Sequence, residues 1–128
     1  MNNPSRFILC VLAALTVSGY GYGQTKKDVR LELLKMGLHL EAAEIASCQS
    51  ALETGWYTSY LCVKKHNIFG LVGIGGKFME FDSWKRCCRA YADLIYSRYD
   101  GGDYYEFLIR IGYAEDPDYI RKVKQICN

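Results

Sequence analysis

Apolar residues recur three and four positions apart along most of this chain, which is the spacing of one face of a helix. Glycines, an Asp-Pro pair and short polar stretches divide the pattern into separate elements. We predict five helices, at residues 27–36, 40–54, 84–99, 104–111 and 117–127. Residues 56–65 are predicted to be a loop or a short helical turn. Asp116 and Pro117 are typical of a helix start, with Asp as the cap and Pro at the first helical position.

One segment departs from the helical period. Residues 67–72 and 77–81 are short β-like runs separated by the glycine-rich sequence Gly73-Ile-Gly-Gly76. Flexible glycines between two such runs favour a tight turn. The predicted fold class is therefore mainly α (α+β), a helical domain with one short β-hairpin inserted after the second helix.

The second predicted helix contains Glu53, the main candidate for a catalytic residue. Its apolar stripe includes Ile45, Cys48 and Leu52, and Glu53 lies one step around from that stripe. Gly55 is a natural left-handed residue to end the helix. Partial burial and the negative end of the helix dipole both disfavour a carboxylate, so we expect a raised pKa for Glu53. Such a group is suited to general acid catalysis, although a glutamate near a helix end is more often solvated or ion-paired.

The first 23 residues have the organisation of a secretory signal peptide. Arg6 supplies the positive charge, residues 7–17 form an apolar run, and residues 18–23 are rich in small side chains. That run is shorter than the roughly 20 residues that a membrane span requires. We expect an exported protein, secreted or periplasmic, without a transmembrane segment after signal removal. Residues 24–128 then form one domain.

The charge balance argues against nucleic acid as the main partner. The chain has 16 basic and 14 acidic residues, and loss of Arg6 leaves 15 basic residues. The basic residues are scattered along helix faces, whereas nucleic-acid-binding proteins concentrate them in a patch or stripe. We expect a monomer.

Five cysteines remain after signal removal. In an oxidising compartment one or two disulfides are expected, and the odd number leaves at least one thiol free or paired outside the chain. Neither a CxxC pair nor a His-Cys spacing predicts a zinc site, so no metal or cofactor is expected. The five are Cys48, Cys62, Cys87, Cys88 and Cys127.

Four short blocks follow one another along the chain. They are CQSALETGW at 48–56, HNIFG at 66–70, FDSW at 81–84 and GYAEDPDY at 112–119. Together they resemble the AQAALESGWG, NLFG, YDSW and GYATDPxY blocks of the glucosaminidase domains of glycoside hydrolase family 73. Those domains are peptidoglycan-cleaving members of the lysozyme-like group. The resemblance covers roughly residues 33–126 and implies a lysozyme-like helical domain.

The resemblance also implies an activity and catalytic residues. The activity is cleavage of the β-1,4 bond between N-acetylglucosamine and N-acetylmuramic acid in cell-wall glycan. Glu53 corresponds to the catalytic acid that protonates the leaving glycosidic oxygen. Tyr113 corresponds to an important tyrosine that holds the substrate or stabilises positive charge at the sugar. Tyr119 is the second choice for that role, with packing of the last helix as its alternative.

Further residues are predicted to bind the glycan. Trp56 and Phe69 are either sugar-facing aromatics or core residues. Asn67 either binds an acetamido group or caps the local turn. Glu80 is a candidate second carboxylate, for which a separation of roughly 5–9.5 Å from the acid would be needed. However, the second glutamate of the family usually lies in a longer β-rich insertion that is missing here.

Alternatives to simple hydrolysis remain open. Without a clear second carboxylate, water attacks without a strong base, the substrate acetamido group assists, or the muramic 6-hydroxyl attacks. The last route would make the protein a lytic transglycosylase, but the GLMQ block of those enzymes is missing from this sequence. A non-catalytic cell-wall-binding module with the same fold is the alternative from another class.

Overall fold

The computed structural model describes residues 23–128, so the predicted signal peptide, apart from Gly23, lies outside the described residues. Each helix in the described part is too short or too polar to cross a membrane. In chain order the helices are α1 (Lys26–Lys35), α2 (Leu40–Thr54), α3 (Tyr60–Lys65), α4 (Trp84–Leu94), α5 (Tyr104–Arg110) and α6 (Tyr119–Cys127). Single 3₁₀ turns occur at Ile74–Gly76 and Tyr96–Arg98. The prediction of a mainly helical domain is confirmed.

Local capping explains several helix ends. The Thr25 side chain accepts a hydrogen bond from the backbone N–H of Asp28, whose carboxylate accepts one in return, so α1 begins with a capping box. Ser83 and Asp103 cap α4 and α5 in the same way, each accepting from the backbone N–H three residues later. Gly55 ends α2 in the left-handed conformation, as its position predicted.

The predicted start of the last helix is wrong. α6 begins at Tyr119, not at Pro117, and Asp116 does not cap it. Instead, Asp116 accepts the backbone N–H of Asp118 at 2.9 Å and the Lys122 ammonium at 2.6 Å. An aspartate that bonds the backbone two residues onward stabilises a turn, so the Asp-Pro pair directs the chain into α6 without belonging to it.

The predicted end of α4 is also corrected. The helix stops at Leu94 instead of Tyr99, and a 3₁₀ turn and extended backbone follow. The hydroxyl of Ser97 donates to the carbonyl of Asp93 at 2.5 Å, one turn back. Serine side chains that bond nearby carbonyls compete with regular helical hydrogen bonding.

The predicted β-hairpin does not form as two strands. Within residues 23–128 the segment contributes one isolated antiparallel bridge, between Val72 and Phe78. The chain reverses through the 3₁₀ turn at Ile74–Gly76, where Gly75 and Gly76 have positive φ.

A side chain replaces most of the backbone hydrogen bonds expected between residues 67–72 and 77–81, which are called the two arms below. The Asn67 amide nitrogen donates to the carbonyls of Leu71 at 2.8 Å and Met79 at 2.9 Å, and its oxygen accepts the Leu71 N–H at 2.9 Å. One buried amide therefore holds both arms, which leaves fewer backbone groups for regular pairing.

Helix α2 lies at the centre of the molecule. It packs against α1, α5 and α6, while α1 also contacts α4. Because α2 is surrounded, its polar residues from Ser47 to Thr54 are nearly all buried as well as its apolar stripe. Its many alanines and serines leave room for the neighbouring helices to approach closely.

One disulfide joins Cys48 of α2 to Cys127 at the end of α6. Among the described residues Cys62, Cys87 and Cys88 are free thiols and all three are buried. Burial raises the pKa of Cys62 to about 11 and that of Cys87 to about 12. These thiols stay protonated at neutral pH and are poor nucleophiles, so their role is packing.

Candidate active site

Glu53 lies in the last full turn of α2 and is almost completely enclosed, with 3% of its surface exposed. Burial raises the pKa of its carboxyl group well above the ordinary value. Charged side chains among residues 23–128 do not offset this rise; the opposing influence is the hydroxyl of Tyr119, which lowers the pKa. The arrangement favours a protonated carboxyl, which is the state that a general acid requires.

The burial of Glu53 exceeds what the sequence predicted. The helical pattern placed it at the border of the core, partly exposed. In the structure α6 and the segment before it bring Tyr119 and Tyr113 close to the carboxyl, and both tyrosines interact with it electrostatically. Within the described residues neither carboxyl oxygen has a hydrogen-bond partner.

A chain of buried hydrogen bonds leads away from this carboxyl. The hydroxyls of Tyr104 and Tyr91 lie 2.7 Å apart, and Tyr91 donates to the side-chain oxygen of Gln49 at 2.5 Å. The amide nitrogen of Gln49 donates to the hydroxyl of Tyr119 at 3.0 Å. Tyr119 interacts in turn with Glu53. Four side chains from α2, α4, α5 and α6 are thus linked in sequence to the candidate acid.

Sequence reasoning assigned no role to Gln49 or Tyr91. A signal for Gln49 was present, because it lies four residues before Glu53 on the same face of a helix that is otherwise rich in alanine. A fully buried glutamine is uncommon and is normally hydrogen-bonded. Tyr91 carried no comparable signal, since it occupies an ordinary apolar position of α4.

Tyr113 lies beside Glu53 but its hydroxyl is engaged by the backbone. It donates to the carbonyl of Phe69 at 3.0 Å, and its ring stacks on that of Tyr119 at a centroid distance of 5.6 Å. The side chain is fully buried. Tyr113 therefore connects the Phe69 backbone to the surroundings of the acid.

Two of the predicted sugar-binding residues lie in the interior. Phe69 is buried and stacks on Tyr91 at a centroid distance of 4.2 Å. The amide of Asn67 is buried, and its nitrogen donates to the carbonyls of Leu71 and Met79. For both residues the structure displays the packing or turn alternative, since neither presents a surface to a ligand.

Trp56 has the opposite placement. Its side chain is 56% exposed, three residues after the acid. Gly55, Trp56 and Tyr57 all have positive φ, between 55° and 69°. Two consecutive non-glycine residues in this region are strained, and such strain persists only where the surroundings enforce it. Tyr57 supplies part of that enforcement, because its hydroxyl is 2.7 Å from that of Ser50 on α2.

Glu80 is exposed and follows the isolated bridge on the second arm. The two carboxyl groups thus differ in environment, since Glu53 is enclosed and Glu80 faces solvent.

A family model described as Glucosaminidase, mannosyl-glycoprotein endo-beta-N-acetylglucosaminidase, matches residues 34–128. The matched span includes α2 to α6 and every predicted site residue. The chain belongs to the glucosaminidase family. The predicted resemblance is confirmed, and the family places the chain among peptidoglycan hydrolases. No curated protein matches the chain.

A second polar cluster among the described residues lies at the disulfide. Glu44, Cys48 and Cys127 place three potential metal-binding atoms within 4.8 Å of one another. Both sulfur atoms belong to the disulfide, so they are not thiolates and the cluster does not offer the ligands that a soft metal requires.

A surface groove of about 500 Å³ lies between α1 and the first turns of α2, lined by Arg30, Leu34, Leu40, Glu41 and Glu44. Glu53 lies at the other end of α2. This groove is therefore separate from the surroundings of Glu53.

Proposed function

We propose that this protein is an exported peptidoglycan N-acetylglucosaminidase that uses Glu53 as its general acid. The bond cleaved is the β-1,4 linkage from N-acetylglucosamine to N-acetylmuramic acid. The single observation that carries the proposal is a buried, proton-retaining carboxyl at the end of α2 in a chain of the glucosaminidase family. Export rests on the predicted signal peptide.

In the proposed reaction Glu53 transfers its proton to the glycosidic oxygen as the C–O bond breaks. The sugar then carries positive charge in an oxocarbenium-like transition state. A water molecule or the substrate acetamido group completes the substitution at the anomeric carbon, and the carboxylate regains its proton from water. Because Glu53 is enclosed, the residues covering it must move before a glycan strand reaches it.

We propose that Tyr113 stabilises the developing positive charge, a role supported by its position beside Glu53. Replacing Tyr113 by phenylalanine should lower kcat by about fivefold, since the loss of one polar interaction of about 1 kcal/mol changes a rate by roughly that factor. Steady-state kinetics on purified glycan strands measures this change. Tyr105→Phe on α5 is the control and should retain full kcat. A Tyr113→Phe protein with unchanged kcat and reduced stability would assign the hydroxyl to packing alone.

We propose that Trp56 binds a pyranose ring through its exposed face. Trp56→Ala should raise KM by about tenfold with little change in kcat, because covering an aromatic face contributes about 1–2 kcal/mol to binding. Ile109→Ala, which removes another exposed apolar side chain, should leave KM unchanged. If Trp56→Ala lowered kcat and left KM unaltered, the ring would not be a binding surface.

Digestion of purified peptidoglycan tests the proposed function. We expect soluble fragments whose new reducing ends are N-acetylglucosamine, identified by mass spectrometry after borohydride reduction. Fragments that end in 1,6-anhydromuramic acid would show a lytic transglycosylase instead. Sedimentation of the protein with peptidoglycan but no released fragments would support the non-catalytic binding module, for which the enclosed acid and the reduced hairpin segment are the motivating observations.

A further inference from the structure

The hydrogen bonds around Gln49 have a defined direction. A glutamine side chain has one oxygen that only accepts and one nitrogen that only donates. Tyr91 donates to the Gln49 oxygen, so the nitrogen is directed at Tyr119 and donates to its hydroxyl oxygen. Tyr91 has given its own hydrogen to Gln49, and therefore it accepts from Tyr104. Each of these three hydrogen bonds is donated by the residue farther from Glu53 to the residue nearer to it.

Tyr119 is the final residue in this series of hydrogen bonds. Its hydroxyl oxygen accepts from Gln49, and its own hydrogen is left to donate. Both carboxyl oxygens of Glu53 are buried and have no hydrogen-bond partner within residues 23–128, and the Tyr119 hydroxyl influences the pKa of that carboxyl. Among residues 23–128 Tyr113 also interacts with Glu53, and its hydrogen is donated to the Phe69 carbonyl. Tyr119 is thus the hydroxyl whose hydrogen remains available to the unpaired carboxyl of Glu53.

We propose that Gln49 is a positioning residue that holds the Tyr119 hydroxyl with its hydrogen towards Glu53. The proposal deepens the proposed function and rests on it only for the kinetic consequence. Without the amide, the Tyr119 hydroxyl would rotate about its C–O bond, and its hydrogen would have no reason to face the carboxyl.

The effect of this arrangement is to limit the proton affinity of the acid. Burial alone favours the neutral carboxyl, whereas the Tyr119 hydroxyl lowers the pKa, and a hydrogen bond from it would favour the ionised form that remains after proton transfer. An acid that binds its proton too tightly is a poor donor to a glycosidic oxygen. Gln49 would thus adjust, through Tyr119, how readily Glu53 releases its proton.

Direct titration of Glu53 tests the proposal without reference to turnover. The protein is labelled with ¹³C at the glutamate carboxyl carbons, and the Glu53 signal is assigned by its loss in Glu53→Gln. Gln49→Met keeps the side-chain length and removes both polar atoms. We expect it to raise the pKa of Glu53 by about one unit, the size expected for one hydrogen bond to a carboxylate.

Two further variants identify the route. Tyr119→Phe should raise the pKa of Glu53 by a similar amount, and the double variant should raise it no further, because both substitutions remove the same hydrogen bond. Tyr104→Phe is the matched control, because it deletes one hydroxyl from the far end of the same series of hydrogen bonds. It should leave the pKa of Glu53 unchanged. If Gln49→Met does not fold, Gln49→Leu, which also removes both polar atoms, supplies the same test.

An unchanged Glu53 pKa in Gln49→Met, together with a raised pKa in Tyr119→Phe, would overturn the proposal. Additive shifts in the double variant would also overturn it. If wild-type protein did not cleave peptidoglycan, the proposed function would fail while the titration still decided the role of Gln49. If it does cleave, the fall in kcat at high pH should move to higher pH in Gln49→Met, which a purely structural role would not produce.

Discussion

Glu53→Gln should reduce peptidoglycan cleavage by about 10²–10⁴-fold, the usual contribution of a positioned general acid. The amide has nearly the same shape as the carboxyl but cannot deliver a proton to the leaving oxygen. Release of soluble fragments from labelled peptidoglycan measures the loss. Glu41→Gln, an exposed position in the first turn of the same helix, is the matched control and should retain wild-type activity. Equal clearing by wild type and Glu53→Gln would remove Glu53 from the reaction.

The same substitution should change how stability depends on pH. The folded-state pKa of Glu53 is raised by burial, whereas the unfolded chain titrates near 4.3. Between these two values the folded state binds more protons than the unfolded state, so stability falls as pH rises. The contribution of the neutral carboxyl is complete below the unfolded pKa and is lost as pH rises through the folded pKa.

Glutamine has no charge to bury, so Glu53→Gln should lack this decline. We therefore expect the variant to be more stable than wild type at neutral and alkaline pH, with the difference in Tm growing as pH rises. Thermal unfolding at a series of pH values measures it. Parallel curves for the two proteins would show that the carboxyl is solvated in the folded state, contrary to the enclosed position found here.

Removal of the disulfide, by Cys48→Ala together with Cys127→Ala, should lower the free energy of unfolding by about 2–5 kcal/mol. The bond closes a loop with a sequence separation of 79 residues, and the entropy that it removes from the unfolded chain grows with loop length. It also anchors α6, the helix that brings Tyr119 to the site, onto α2. Urea unfolding at equilibrium measures the loss.

Cys62→Ala, at a buried free thiol, is the matched control and should cost about 1 kcal/mol. A dithiol reductant should destabilise wild type to the level of the double variant and should not affect the double variant itself. In the fraction that remains folded, turnover should persist, because the disulfide supplies stability and not a reacting group. Equal losses in the double variant and the control would argue against a stabilising bond in solution.

Several features of the site were predictable from local pattern. Helical spacing placed Glu53 at the edge of an apolar stripe, and Gly55 marked the end of its helix, because both depend on residues within one or two turns. The order of four short blocks identified the family. The start of α6 was mispredicted because Asp116 bonds Asp118 and Lys122, and a capping signal in sequence does not reveal which partner an aspartate selects.

The hairpin prediction failed for a related reason. Two β-like runs around a glycine-rich turn normally pair through their backbones. Here the Asn67 amide bonds to both arms, and the backbone retains a single bridge. The spacing of apolar and polar residues is the same whether an asparagine caps a turn or bonds to two separate segments.

By itself the sequence determined the helical class and the family and predicted Glu53 as the acid, since these depend on residue types at short spacing. Only the tertiary structure decided that Glu53 is enclosed, that Phe69 packs inward while Trp56 stays exposed, and that Gln49 and Tyr119 lie next to one another, 70 residues apart in the chain. Burial and hydrogen-bond direction are properties of the surroundings, and the surroundings of a residue on α2 are supplied by α1, α4, α5 and α6.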